Sequence, residues 1–208
     1  MYCSQCGVEA TGNSCSSCGA PLQAATLPAT QPTDWSGIIE YEQLLRIQEI
    51  RDLIARYAAQ SKRRSTGEEF LQYCDKAFVP LAGVSMAAMA SVVQPIFSEL
   101  GIKTGKTRSQ LFDKPPGQIL VTLLCSLARH GQHLRRVRQV QDGCVFEAAI
   151  PSDMWSFEDG LVITVCREGS GTVVEAGTII KGQLYDWGKS KRCLAALFTD
   201  LSVTPAII

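Results

Sequence analysis

Histidine is nearly absent from this chain, and neither sign of charge prevails. The only two histidines among 208 residues, His130 and His133, share one basic run. Twenty basic and twenty acidic side chains cancel, so no global field draws the protein to nucleic acid or anionic lipid. No lysine, arginine or histidine precedes Arg46, which denies the N-terminal region the cations that a phosphate reader needs. Residues 1–20 lack both a basic start and a long apolar core, so they do not read as a signal peptide. A nucleophile motif of the Gly-x-Ser-x-Gly type is also missing. Nothing in the spacing of Glu147, Glu158, Asp159 and Glu175 pairs them for acid–base work. These absences argue against an enzyme.

What the N-terminus does hold is cysteine. Cys3, Cys6, Cys15 and Cys18 form C-x2-C-x8-C-x2-C, with Gly7 and Gly19 directly after the two pairs. Four thiolates from two tight turns make the tetrahedral soft-ligand cage that zinc prefers, and iron accepts the same geometry. A glycine after each turn tolerates the left-handed conformation that turns backbone amides toward the sulfurs. Pairing the same residues as two disulfides would need an oxidising compartment. Five further cysteines, Cys74, Cys125, Cys144, Cys166 and Cys193, sit singly in apolar stretches. An odd total of nine fits reduced, buried thiols and a cytoplasmic location better than a disulfide framework.

The double-knuckle pattern resembles the short zinc-ribbon family over residues 1–22. The resemblance implies one structural Zn2+ on Cys3, Cys6, Cys15 and Cys18. With all four positions filled by protein, no coordination site is left for a reactant. So short a segment buries no core, and ion binding must supply most of its folding energy. Four thiolates leave the site doubly negative, and Glu9 and Asp34 add to that. The ribbon is therefore expected to meet protein before nucleic acid.

Residues 23–35, rich in Ala, Thr and Pro, read as a semi-extended linker. Residues 36–110 read as a helical region. One helix is expected from about Ser36 to Arg64, with Ile47, Ile50, Ile54 and Tyr57 on its stripe, packed on the following domain or on a second copy. Ser65, Thr66, Glu68 and Glu69 form a capping-box pattern for another helix, ended by Pro80. The most apolar run, about 78–98, carries no charge between Lys76 and Glu99. Its prolines, glycine, serines and alanines fit a buried helix over 85–100 better than a membrane span. GlyIleLysThrGlyLysThr (101–107) has one residue too few before Gly-Lys for a phosphate loop, and reads as a basic turn.

Residues 111–203 are expected to form a two-layer α+β domain, an antiparallel sheet with flanking helices. A helix over 118–130 precedes four strands at about 133–140, 144–150, 161–167 and 172–181. A last helix, about 187–201, follows with Asp186 as its N-cap. The runs DMWSFEDGL (153–161) and GQLYDWGKSKR (182–192) are similar to uncharacterised bacterial α+β domains, a resemblance that implies no activity.

Two constellations here carry chemistry. Trp187, Lys189, Lys191 and Arg192 at a helix start could hold an anion or small ligand, or simply begin a capped helix. Arg129, Arg135, Arg136 and Arg138 could contact phosphate, or guard a sheet edge. The best-supported expectation is a non-enzymatic adaptor whose ribbon docks to a protein partner. A small-ligand module in the α+β domain is the alternative, and nucleic-acid binding through 129–138 the third.

Overall fold

A computed structural model describes Val8, residues 17–18, 34–61, 66–79, 106–150, 159–179 and 188–203. The chain divides into two compact units, Met1–Asp34 and Trp35–Ile208. Of the first, Val8, Ser17, Cys18 and Asp34 are described. The rest of residues 1–33, and with it Cys3, Cys6 and Cys15 and most of the linker, lies outside the described residues, as do residues 80–105, where the buried helix was expected.

The second unit is α+β, with five helices and six strands among the described residues. In chain order these are α1 (Tyr41–Leu45), α2 (Gln48–Ala59), α3 (Gly67–Ala77), β1 (Phe78–Val79), β2 (Thr107–Phe112), α4 (Pro116–Arg129), β3 (Leu134–Val140), β4 (Gly143–Ile150), β5 (Asp159–Glu168), β6 (Gly171–Ile179) and α5 (Lys189–Ser202). The sheet order is β1-β3-β4-β5-β6-β2. All pairings are antiparallel except β1 with β3, so the sheet is mixed where the sequence led us to expect an antiparallel one. The two edge strands went unforeseen for a reason. β1 is two residues long, and β2 buries only Phe112 fully, so neither shows the alternation that marks a half-buried strand.

α4 explains how the unit is built. The stripe Ile119, Leu120, Leu123, Leu124 and Leu127 is fully buried, but so are Val121, Thr122, Cys125, Ser126 and Ala128. A helix apolar on all sides must be enclosed on all sides. It lies on β5 and β6, with α2 and α1 across its back and α5 alongside, while α3 packs on α2 and β3. Pro116 suits the first turn, where its missing N–H has no intrahelical partner anyway. One turn position must be glycine: a Cβ on Gly117 would sit 2.1 Å from the Trp35 carbonyl oxygen. That close approach lets the Gly117 amide donate to the Ser36 carbonyl at 2.7 Å. Gly131, at φ 63°, then turns the chain out of the helix.

The segment 36–64 is not one helix. It breaks at Arg46–Ile47, where Ile47 is extended (ψ 116°) and caps α2. Tertiary anchors override the periodicity. The Tyr41 hydroxyl donates to the Cys74 carbonyl at 3.1 Å, and the Tyr41 amide donates to Gln139 Oε1 at 2.9 Å. Arg51 forks onto both oxygens of Asp75, at 2.9 and 3.0 Å, and reaches the Leu45 carbonyl exposed by the break. Thr66 and Glu69 close the expected capping box at the start of α3. Helix α5 begins at Lys189 with Gly188 (φ 75°) as its N-cap, whereas the expected cap, Asp186, lies outside the described residues.

A boundary at 110/111 does not divide this unit. It falls inside β2, and α1–α3 share one core with the sheet, running from Tyr41 and Phe70 to Phe146, Ile163 and Phe198. Neither half could bury its apolar face alone: the stripe of α2 closes on α4, and α3 closes on β3.

Candidate functional site

The four N-terminal cysteines are the site the sequence singles out, and among them Cys18 alone is described, exposed and in a turn. An all-sulfur donor set in two x2-spaced pairs suits a divalent zinc ion. Among the described residues no group of three or more His, Cys, Asp or Glu side chains is arranged to hold a metal. The five cysteines of the larger unit have a different chemistry. Burial pushes Cys74, Cys125 and Cys144 up to about 12 and Cys166 up to about 11. It raises Cys193 as well, whose sulfur accepts from Gln132 Nε2 at 3.1 Å. Thiols held neutral by desolvation are poor nucleophiles and poor ligands.

The basic run is distributed over two faces. Arg129 lies 4.6 Å above the Tyr57 ring and 3.5 Å from Asp200 Oδ1, on the helical side of the sheet. Arg138 and Arg136 project from the other side onto Glu147, at 2.7 and 3.9 Å. Arg135 is exposed. The structure thus brings Arg136 and Arg138 together and sets Arg129 apart from them. In the 185–192 run, Trp187 lies outside the described residues, Lys191 and Arg192 are exposed, and Lys189 is half-buried at the first turn of α5.

One polar cluster escaped the sequence reading. Asp200 on α5 receives Ser126 Oγ at 2.7 Å and lies 3.0 Å from His130 Nε2, both at Oδ2. Serine, histidine and aspartate invite comparison with a hydrolytic triad, but the order is different. In a triad the imidazole stands between serine and carboxylate and takes the serine proton. Here the carboxylate stands in the middle, and Ser126, 2% exposed, spends its proton on Asp200. The arrangement pins α4 to α5 and bonds the hydroxyl to a carboxylate, with no imidazole on it. Ser126, Arg129 and His130 follow i, i+3, i+4 spacing, a polar edge on an otherwise apolar helix, and that edge was the available signal. A hollow of about 80 Å3 lies beside it, between Tyr57, Cys125 and Val203.

A larger cleft, about 300 Å3, opens beside α1. Its floor is Tyr41, Leu45, Cys74 and Phe78, with Tyr41 stacked on Phe78 at 5.9 Å. Its rim is two salt bridges, Arg51–Asp75 and the exposed Arg46–Glu42. Those charges are paired with one another, so among the described residues the rim offers a ligand no unpaired formal charge. A second polar anchor, the half-buried Gln139, binds the 39–41 segment to the sheet through the Tyr41 amide and the Ile39 carbonyl.

No family model matches the chain, and neither does any curated protein or solved structure.

Proposed function

We propose that this protein is a non-enzymatic adaptor in which a zinc ribbon, Cys3, Cys6, Cys15 and Cys18 around one Zn2+, docks to a protein partner. The observation that carries the reading is the C-x2-C-x8-C-x2-C pattern in a stretch without a single cation before Arg46. A ribbon closed on four sulfurs has no reactive position, and one without basic residues has little to offer phosphate. Two further features support it. Met1–Asp34 and Trp35–Ile208 are separate compact units, as a tethered docking module requires. The Ser126–Asp200–His130 cluster and the neutral thiols of the larger unit serve packing, and give no activated nucleophile.

The alternative of a small ligand held between sheet and helices finds little support, because side chains from α2, α4, α5 and the sheet already fill that layer as one core. Nucleic-acid binding through the basic run is weakened by the turning of Arg129 to Asp200 and of Arg138 to Glu147.

The test is affinity capture with the full chain against a Cys3→Ser/Cys6→Ser variant, each with its zinc content measured. A partner retained by the parent and lost with the metal is expected. Identical partners from both proteins would remove the docking role, and retention of RNA that falls steeply with salt would move the reading to nucleic acid.

A further inference from the structure

Every described helix packs on one face of the sheet, yet the centre of the other face is not in water. Strand alternation places Val145, Val162 and Thr164 on that second face, between the Arg138–Glu147 ion pair and Glu175. Val145 and Val162 are each 2% exposed and Thr164 is 7% exposed, and none belongs to the core shared with the helices. The Thr164 hydroxyl is buried without a hydrogen-bond partner. Side chains on the bare face of a sheet keep contact with solvent, so this degree of burial requires a cover.

The topology identifies it. β1 and β2 occupy opposite edges of the sheet, roughly 24 Å apart at about 4.8 Å per strand. β1 runs parallel to β3, and the successive antiparallel pairings β3–β4, β4–β5, β5–β6 and β6–β2 return β2 to the same direction. The passage from Val79 to Lys106 is therefore a crossover between parallel strands, and such crossovers are right-handed in about 98% of cases. The passage from β2 through α4 to β3 is a second crossover, running across the sheet in the reverse direction over the helical face. Two crossovers of one hand that run in opposite directions must lie on opposite faces. Composition agrees, since no charge stands between Lys76 and Glu99.

We propose that the second face of the sheet is the docking surface for the chain's own residues 80–105. The occupant of that face is then part of the same chain, and neither a bilayer nor a second copy.

The direct test is methyl NMR on the full chain, following contacts of the Val145 and Val162 methyls. Contacts to methyls of residues 80–105 that persist on dilution are expected. Contacts confined to residues 151–158 or 180–187, contacts seen only between differently labelled copies, or contacts to acyl chains when phosphatidylglycerol vesicles are added would each overturn the proposal. Hydrogen exchange gives an independent reading. Val162→Asp should speed exchange across 80–105 at least tenfold, and Leu111→Asp, on the same face but 61% exposed, should leave it unchanged. Equal effects of the two substitutions would contradict the assignment, and the methyl contacts of the unsubstituted chain decide it even if Val162→Asp fails to fold.

Discussion

Cysteine has two characters in this chain, and position along it decides which. The N-terminal four come in pairs, with two residues between the members of each, in a stretch with little else to bury. The later five are solitary and packed, and desolvation keeps them protonated at neutral pH. The difference teaches that the residue type alone says little. Spacing is what proposes a ligand set, and an apolar neighbourhood makes core. On the proposed reading the two regions draw on different sources of stability, an ion for the first and buried area for the second.

The sharpest way to break the second half of that contrast is to empty the core where it joins helices to sheet. Phe146 is fully buried and meets Tyr41 edge-on at 5.8 Å. Phe146→Ala should lower the unfolding free energy by about 3–5 kcal/mol in urea titrations, while leaving zinc content unchanged. Next is the polar hub. Asp200→Ala removes the acceptor of Ser126 and the partner of His130 and Arg129, and should cost about 1–3 kcal/mol. Asp200→Asn should recover part of that loss if hydrogen bonding to Ser126 is the larger contribution.

Both targets differ in how far the sequence announced them. The helix stripe of α4, the four meander strands and the capping box of α3 were legible because periodicity and turn residues are local properties. The break at Ile47 was not, since it is imposed by Arg51, Asp75 and Gln139 from elsewhere in the chain. The strand β1 was hidden by its length, and β2 by its exposure. Asp200 looked like one more helix acid until α4 was set beside it. The cysteine pattern was the most legible candidate site because its chemistry resides in spacing, which needs no fold to be read.

The buried thiols also make a pH signature. Their folded-state pKa, pushed up to about 12 by burial, exceeds the value of about 8.5 in an unfolded chain. A neutral thiol is thus preferred by the folded state. This contribution is complete below about pH 8.5 and is lost as pH rises toward about 12. Unfolding midpoints should fall progressively between those limits, and Cys144→Ala should flatten the fall. The smallest effect is expected at a surface cap. Thr66→Ala opens the capping box, in which Thr66 Oγ1 accepts from the Glu69 amide at 3.1 Å, and should cost about 1 kcal/mol by thermal unfolding.

Native mass spectrometry of the full, reduced chain addresses the contrast most directly. One zinc per chain is expected, absent from Cys3→Ser/Cys6→Ser and retained in Cys74→Ala and Cys144→Ala. A chain that arrives without metal, or whose metal follows the later cysteines, would contradict it.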